Sequence, residues 1–497
     1  MVGMKFHRAL AIAVMAASTM FTLGRGSEPL FIAPLYVEYT TSTTAEFGEQ
    51  VQQLKQRIGQ STPRIQVGFS AFLGVQLEGA ELDKPIDRRM AKPTLDSIDQ
   101  IVERARSNQI PIHISIISNS FHGFDAFREA AIRADVRNAQ WYADGWIASS
   151  EEIERNPGVP KSAWITPSRN AQALRQRMQE AAAIVGDRLA QAMEQFPDVL
   201  LSVSGDSEVE LSYVRTLGSE GDRRNTDGKI FYADYSPFMV AEFRDSLRAR
   251  YSGDASPDSD DDHDGHTFNR DFVRRFRTWQ LRYFNDSGPI PYERYRSMPE
   301  KLPQSGPYFI DGGFDAPRSP AAQDRLWQAW KAFRVHAIEN YLRDYATWIT
   351  GNSRIPASRF YTHQIPADFV FAGRDNTRLE TSASPLDTAL LPGLTSAGVT
   401  VFDTFSGKTH TKTSSPAMFR RLEQSGAHWG ILEYNPSVPA AADEDFYVRT
   451  LRSLNSFHPA IIAPFAWTDA EQHKQYRIQD TAFERALKKF TGEIQRR

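Results

Sequence analysis

A chain of 497 residues with 41% apolar and 24% charged residues has ordinary globular usage, so it can bury a core and is not disordered as a whole. Its length could hold two or three average domains, and it suits equally one α/β barrel with large loop insertions. A formal net charge of −3 without a basic stripe excludes the electrostatic footprint of a nucleic-acid partner, and the absence of cysteine excludes disulfides, thiolate metal sites and anchoring through a lipidated cysteine.

At the N-terminus Lys5, His7 and Arg8 precede an apolar run from Ala9 to Ala17, and small and polar residues follow from Ser18 to Ser27. This is the layout of a secretory signal peptide over residues 1–27. The run falls short of the ~20 apolar residues that span a bilayer, and no later segment approaches that length. The mature protein is therefore expected to be secreted or periplasmic, with no membrane partner after cleavage.

From Leu30 onward short β-rich runs alternate with stretches of helical periodicity, the order of a parallel sheet with helices on its faces. The expected strands are Leu30 to Val37, Ile65 to Phe72, Ile112 to Ile117, Val199 to Ser204, Arg359 to His363, Val399 to Phe405, Trp429 to Tyr434 and Ile461 to Trp467. Several lack polar alternation, as expected of strands covered on both faces. Between them, Leu95, Ile98, Val102 and Ala105 step by three or four, as do Leu174, Met178, Ala181, Val185, Leu189 and Ala192. Eight βα units without a glycine-rich fingerprint after the first strand favour a closed (β/α)₈ barrel over residues 28–497, rather than a dinucleotide-binding sheet.

The interval of about 211–358 is too long for one βα connection and reads as a large insertion after strand four, arching over the barrel mouth. Helical stretches are expected at Pro237 to Tyr251, Phe268 to Phe284 and Pro320 to Ile349. Within the insertion, Asp260, Asp262 and Asp264 stand at loop positions one, three and five, glycine at six and Asp271 at twelve. That is the spacing of an EF-hand-like calcium loop over residues 260–271, read as an isolated structural site. A solvated acidic surface loop is the alternative.

Strand four continues into Gly205-Asp206-Ser207-Glu208-Val209-Glu210, an acidic cluster just past its C-terminal end, and strand seven ends on Glu433 inside an apolar run. In a barrel both ends open on the catalytic face. Glycoside cleavage needs such a pair, one carboxyl to protonate the leaving oxygen and one to attack the anomeric carbon or activate water. An acidic helix N-terminus is the bland reading of the first cluster. Glu433 amid Ile431, Leu432 and Tyr434 would be costly to bury without a purpose. Other polar residues near strand ends are candidate substrate contacts, with a structural hydrogen bond as the equal alternative for each: Glu38, Asn119, His122, His363 and Gln364, with Tyr434 placed to orient Glu433, and Trp467 able either to stack on a sugar face or to plug the barrel rim.

The segments VSGDSEVEL, WGILEYNPS and APFAW, in that order, resemble the clan A glycoside hydrolases, most nearly the family 42 β-galactosidase type. The stretch DYSPFMVAEFRDSLRARY is similar to the helix that follows the acid/base of that family. The resemblance implies a retaining glycosidase acting on an oligo- or polysaccharide, with Glu208 as acid/base, Glu433 as nucleophile, an aromatic platform at Trp467 and no cofactor for catalysis. One departure stands out. The clan places asparagine directly before the acid/base, where it contacts the sugar 2-hydroxyl, and this chain has Ser207. Asp206 and Glu210 stay open as the acid, and so does a carbohydrate-binding barrel with weak catalysis. A metal-dependent barrel hydrolase using His113, His363, Asp403 or His410 is the remaining alternative, although the usual His-x-His and His-Glu-x-x-His spacings are missing.

Overall fold

The computed structural model describes residues 29–117, 125–141, 147, 167–209, 211, 234–251, 288–297, 325–351, 355–370, 383–406, 409–412, 416–436, 443–468 and 477–496. The expected signal peptide, the stretch Phe268 to Phe284 and the calcium loop with Asp260, Asp262, Asp264 and Asp271 lie outside the described residues.

The barrel strands are β1 (Leu30–Ile32), β2 (Ile65–Val67 and Phe69–Gly74, either side of Gly68), β3 (Ile112–Ile117), β4 (Leu200–Ser207), β5 (Phe360–His363), β6 (Ala397–Ser406), β7 (Trp429–Pro436) and β8 (Ile461–Pro464). Each runs parallel to its neighbours, and β1 pairs with both β2 and β8. The ring closes between β5 and β6, where Thr362 N donates to Ser396 O, Gln364 N to Gly398 O and Thr400 N to Gln364 O at 2.8–3.1 Å. At Gly68, where β2 passes from one sheet partner to the next, a Cβ would meet the carbonyl oxygen of Pro111 at 1.9 Å, so only glycine lets these two strands approach. A short antiparallel strand, Thr409–Lys412, folds back on the end of β6 and was not anticipated from the sequence.

Helices α1 (Thr44–Arg57), α2 (Lys92–Ser107), α3 (Asp125–Ala134), α4 (Gln172–Gln195), α5 (Pro237–Tyr251), α6 (Tyr292–Ser297), α7 (Arg325–Thr350), α8 (Pro416–Gln424), α9 (Glu444–Asn455) and α10 (Ala482–Arg496) fall between and after the strands. The periodic stripes behave as expected: Leu174, Met178, Ala181, Val185, Leu189 and Ala192 of α4 are all buried. Each large apolar side chain so buried stabilises the fold by about 1.5–3 kcal/mol before entropy is counted. A capping box between Thr43 and Glu46 starts α1.

Helix α7 departs from expectation. The sequence places it within the insertion, whereas it packs along α4, so closely that a Cβ on Gly186 would sit 2.2 Å from the carbonyl oxygen of Ile349. It is the barrel's own helix between β4 and β5. The excursion after β4 is correspondingly shorter, and the β3–α4 connection carries a second one. The two are tied together: Val136 N donates to Ile290 O, Tyr235 N to Trp141 O and Trp141 N to the Asp234 carboxylate, all within 3.0 Å.

The inside of the ring is divided. On the β8–β1–β7 side Phe31, Ala33, Leu432, Ile461 and Ala463 pack with Tyr361 of β5 as an apolar plug. On the β3–β4–β5 side the buried residues are His113, Ser115, Ser202, Ser204, Ser207 and His363.

Candidate active site

Strand β4 builds the first half of the site. Ser202 and Ser204 face inward, their hydroxyls 2.8 and 3.1 Å from Nδ1 and Nε2 of His113. Strict alternation would bring Asp206 inward next. Instead the β4–β5 register shifts between Ser204 and Ser207, and an extra residue in one strand re-aims the side chains beyond it. Asp206 consequently turns to the helix layer, accepting a bond from the Tyr341 hydroxyl of α7 at 3.1 Å. Ser207 takes the inward place, its Oγ 2.6 Å from His363 Nδ1 and 3.2 Å from Ser115 Oγ. Glu208 follows in the left-handed region, φ 53°, and its N–H donates to His363 O at 2.7 Å. A non-glycine residue held there marks a place where surrounding contacts overrule backbone preference.

Strand β7 supplies the second half. The Glu433 Oε1 atom accepts a bond from the Asn435 amide at 2.9 Å, since residues two apart share a face of a strand. Tyr434 points to the opposite face, against Phe483 of α10 at 5.8 Å between ring centres. It therefore does not orient the glutamate; Asn435 does. Burial pushes the Glu433 carboxyl up to about 7, and the Asn435 bond offsets part of that rise.

One carboxylate oxygen each of Glu208 and Glu433, and a ring nitrogen of His363, lie within 4.8 Å of one another. Two carboxyls so close in a desolvated mouth disfavour each other's ionisation. Thr400 completes the cluster from β6: its hydroxyl donates to Glu208 Oε1 at 2.8 Å and lies 3.1 Å from His363 Nε2. Burial holds both His113 and His363 down to about 3, so both imidazoles are neutral.

The side chains of Glu208, His363 and Glu433 each offer a ligand atom for a cation, but hydroxyls occupy the histidine nitrogens. Both ring nitrogens of His363 are engaged by serine and threonine hydroxyls, and both of His113 by serines. The side chains of Asp403 and His410 lie outside the described residues, as do Asn119, His122 and Glu210. Gln364 is fully buried beside the cluster, with neither amide atom paired among the described residues. Glu38 is half-buried in the turn after β1. Trp467 differs from expectation: its ring is fully buried, donates from Nε1 to Gln50 of α1 at 3.0 Å and packs on Phe69, leaving no open face for a sugar. The apolar group formed by Leu35, Phe465 and Ala466, with Val37 and Phe72 packed on it, is a separate cluster past β1 and β8. Thr400, Ser115 and Asn435 were not singled out from the sequence.

No family model matches this chain, and no curated protein matches it. Among solved structures it is similar to the catalytic domain of a β-amylase from Paenibacillus polymyxa, with a TM-score of 0.52 and 9% identity over 93% of this chain and 98% of that one. It is also similar to a β-galactosidase from the psychrophilic Marinomonas ef1, with a TM-score of 0.54 and 10% identity over 94% of this chain and 60% of that one. A cold-adapted β-galactosidase from Rahnella sp. R3 has a TM-score of 0.50 and 12% identity over 95% of this chain and 56% of that one. At such identity the likeness shows the fold, a (β/α)₈ barrel.

Proposed function

We propose that the chain is a retaining glycoside hydrolase of the family 42 β-galactosidase type, acting on an oligo- or polysaccharide. The observation that carries this reading is the approach of Glu208 and Glu433 to within 4.8 Å at the C-terminal ends of β4 and β7. Retaining enzymes hold their carboxyls ~5–5.5 Å apart, whereas inverting ones leave ~6.5–9.5 Å for a water. The names of the structural neighbours, a β-amylase and two β-galactosidases, support its coarser part, glycoside hydrolysis. Ionised Glu433 attacks the anomeric carbon as the bond to the leaving oxygen breaks, and Glu208 delivers its proton to that oxygen. Water then attacks the same carbon, Glu208 takes its proton, and Glu433 departs as carboxylate. Gln364 is offered as a contact for a sugar hydroxyl, because a buried amide with neither end bonded gains most from a polar ligand.

The test is a panel of aryl glycosides and bacterial or plant polysaccharides, given to the wild type and to Glu433→Gln. At least one substrate is expected to be cleaved by the wild type and by no measurable amount by the variant. Cleavage that survives in Glu433→Gln would overturn the assignment. A second reading, a carbohydrate-binding barrel with weak catalysis, is favoured by Ser207, whose hydroxyl is committed to His363 and so cannot replace the asparagine expected at the sugar 2-hydroxyl. Saturable sugar binding by the wild type without hydrolysis would select it.

Two further assignments rest on the sequence. Residues 1–27 are assigned as a signal peptide directing the protein to the periplasm or medium, and N-terminal sequencing of the exported product should begin after them. The loop from Asp260 to Asp271 is assigned as a structural calcium site that takes no part in the chemical step. Calcium at a hundredfold excess over its dissociation constant is expected to add about 2.7 kcal/mol, seen as a rise in Tm that Asp260→Ala with Asp264→Ala abolishes. Identical calcium titrations of variant and wild type would leave only an acidic surface.

A further inference from the structure

Half of the barrel interior is filled with hydroxyls and imidazoles where the other half is filled with Phe31, Leu432 and Ile461. Burying polar groups costs free energy unless every one is bonded, so an apolar filling would have served stability as well. What the polar half does is visible in its connectivity. Ser115 touches Ser207 and His363, Ser207 touches His363 Nδ1, His363 Nε2 touches Thr400, and Thr400 touches Glu208 Oε1.

The directions of these bonds follow from the donors each group owns. The Thr400 hydroxyl donates its single hydrogen to Glu208 Oε1 at 2.8 Å. Its oxygen can then only accept from His363, which puts the imidazole proton on Nε2. A neutral ring protonated at Nε2 has a bare Nδ1, which accepts from Ser207 at 2.6 Å. Ser115 Oγ lies 2.9 Å from the same Nδ1 and 3.2 Å from Ser207 Oγ, so its hydrogen can go to either. The titratable groups brought up to Glu208 among the described residues are Glu433 from β7 and His363 from β5.

We infer that Thr400 and His363 are positioning residues for Glu208, forming a relay of hydrogen bonds from the serine hydroxyls at His363 Nδ1, through His363 and Thr400, that ends on Glu208 Oε1 and keeps the acid's proton on its other oxygen. The inference rests on the glycosidase reading for its purpose, but not for its geometry. Thr400 is fully buried at a register shift in β6 between Val399 and Thr400, so its hydroxyl is fixed by the strand and not by solvent. With Oε1 anchored, the same carboxyl is presented in one orientation when it gives a proton and when it takes one.

Two measurements decide this separately from the proposed activity. In protein labelled with ¹⁵N-histidine, with the His363 signals assigned through His363→Gln, the ring is expected to remain the neutral Nε2–H tautomer from about pH 5.5 to 8. Thr400→Val should release that tautomer, and Thr400→Ser should keep it. An Nδ1–H or doubly protonated ring in the wild type would overturn the relay even if glycosides are cleaved. On a cleaved glycoside with a poor leaving group, Thr400→Val is expected to lower kcat on the order of 10–100-fold with little change in KM. Thr400→Ser should restore most of that rate. An unchanged kcat in Thr400→Val would overturn the positioning role. A wild type that cleaves nothing but shows the Nε2–H tautomer would sink the hydrolase reading and leave the relay standing.

Discussion

Glu433→Ala is expected to lose turnover on every glycoside, on the order of 10⁵-fold or more, as when a covalent nucleophile is removed. Glu208→Ala should respond to the substrate. An aryl glycoside with a good leaving group needs little protonation, so the glycosyl-enzyme still forms, and its hydrolysis becomes slow without a base to activate water. Azide needs no base. Added azide is therefore expected to raise the rate of Glu208→Ala and to give a glycosyl azide of retained configuration, while Glu433→Ala with azide should give the inverted product. The site geometry sharpens the control. The Asp206 carboxyl is turned to the Tyr341 hydroxyl of α7 and away from Glu433, so azide should do nothing for Asp206→Ala. Rescue of Asp206→Ala or Glu210→Ala in place of Glu208→Ala would move the acid/base to that residue.

The rate against pH and the stability against pH are expected to fall together on the alkaline side. On the proposed retaining mechanism, the working form carries one proton on Glu208 and none on Glu433. With the Glu433 carboxyl pushed up to about 7 by burial, kcat/KM should decline as pH rises through about 7, because the doubly ionised site has no acid to offer. For stability, a carboxyl that holds its proton more tightly in the folded chain than at its ordinary value of 4.5 favours folding below that value. The contribution is lost as pH rises through about 7. Glu433→Gln carries no charge to bury, and some solvent reaches the mouth. The variant should be more stable than wild type by about 2–3 kcal/mol near pH 8 and by much less near pH 5. Equal denaturation midpoints for the two proteins near pH 8 would mean that the carboxylate is well solvated in the fold.

Much of the architecture was legible because barrel strands are covered on both faces and stand out as apolar runs; β3, Ile112–Ile117, is found where the sequence places it. The ends of strands were harder to read. Glu433 was conspicuous as a charge in an apolar strand, yet choosing Tyr434 as its neighbour overlooked the two-residue period that puts Asn435 on its face. Trp467 lies in a bend past the end of β8, where strand alternation gives no guide, and its ring turns into the core under α1. Thr400 and Ser115 left little signal, because hydroxyl residues in a strand look like ordinary strand formers. The register shift beyond Ser204 left none: alternation alone aims Asp206 inward, and only pairing with β5 shows that Ser207 takes that place. Helix α7 was assigned to the insertion because its own sequence, although set off by the Pro/Gly-rich stretch before it, carries no sign of the α4 face it packs on.

The left-handed backbone at Glu208 gives this residue two incompatible optima. Its conformation, φ 53°, is one that glycine adopts freely and that costs an L-residue about 1–2 kcal/mol. Selection for persistence of the fold alone would drift this position toward glycine, and selection for hydrolysis would hold it at glutamate. A lineage that abandoned the reaction but kept the sugar cleft would be released from that tension, and its signature would be a glycine in place of Glu208 in an otherwise intact barrel.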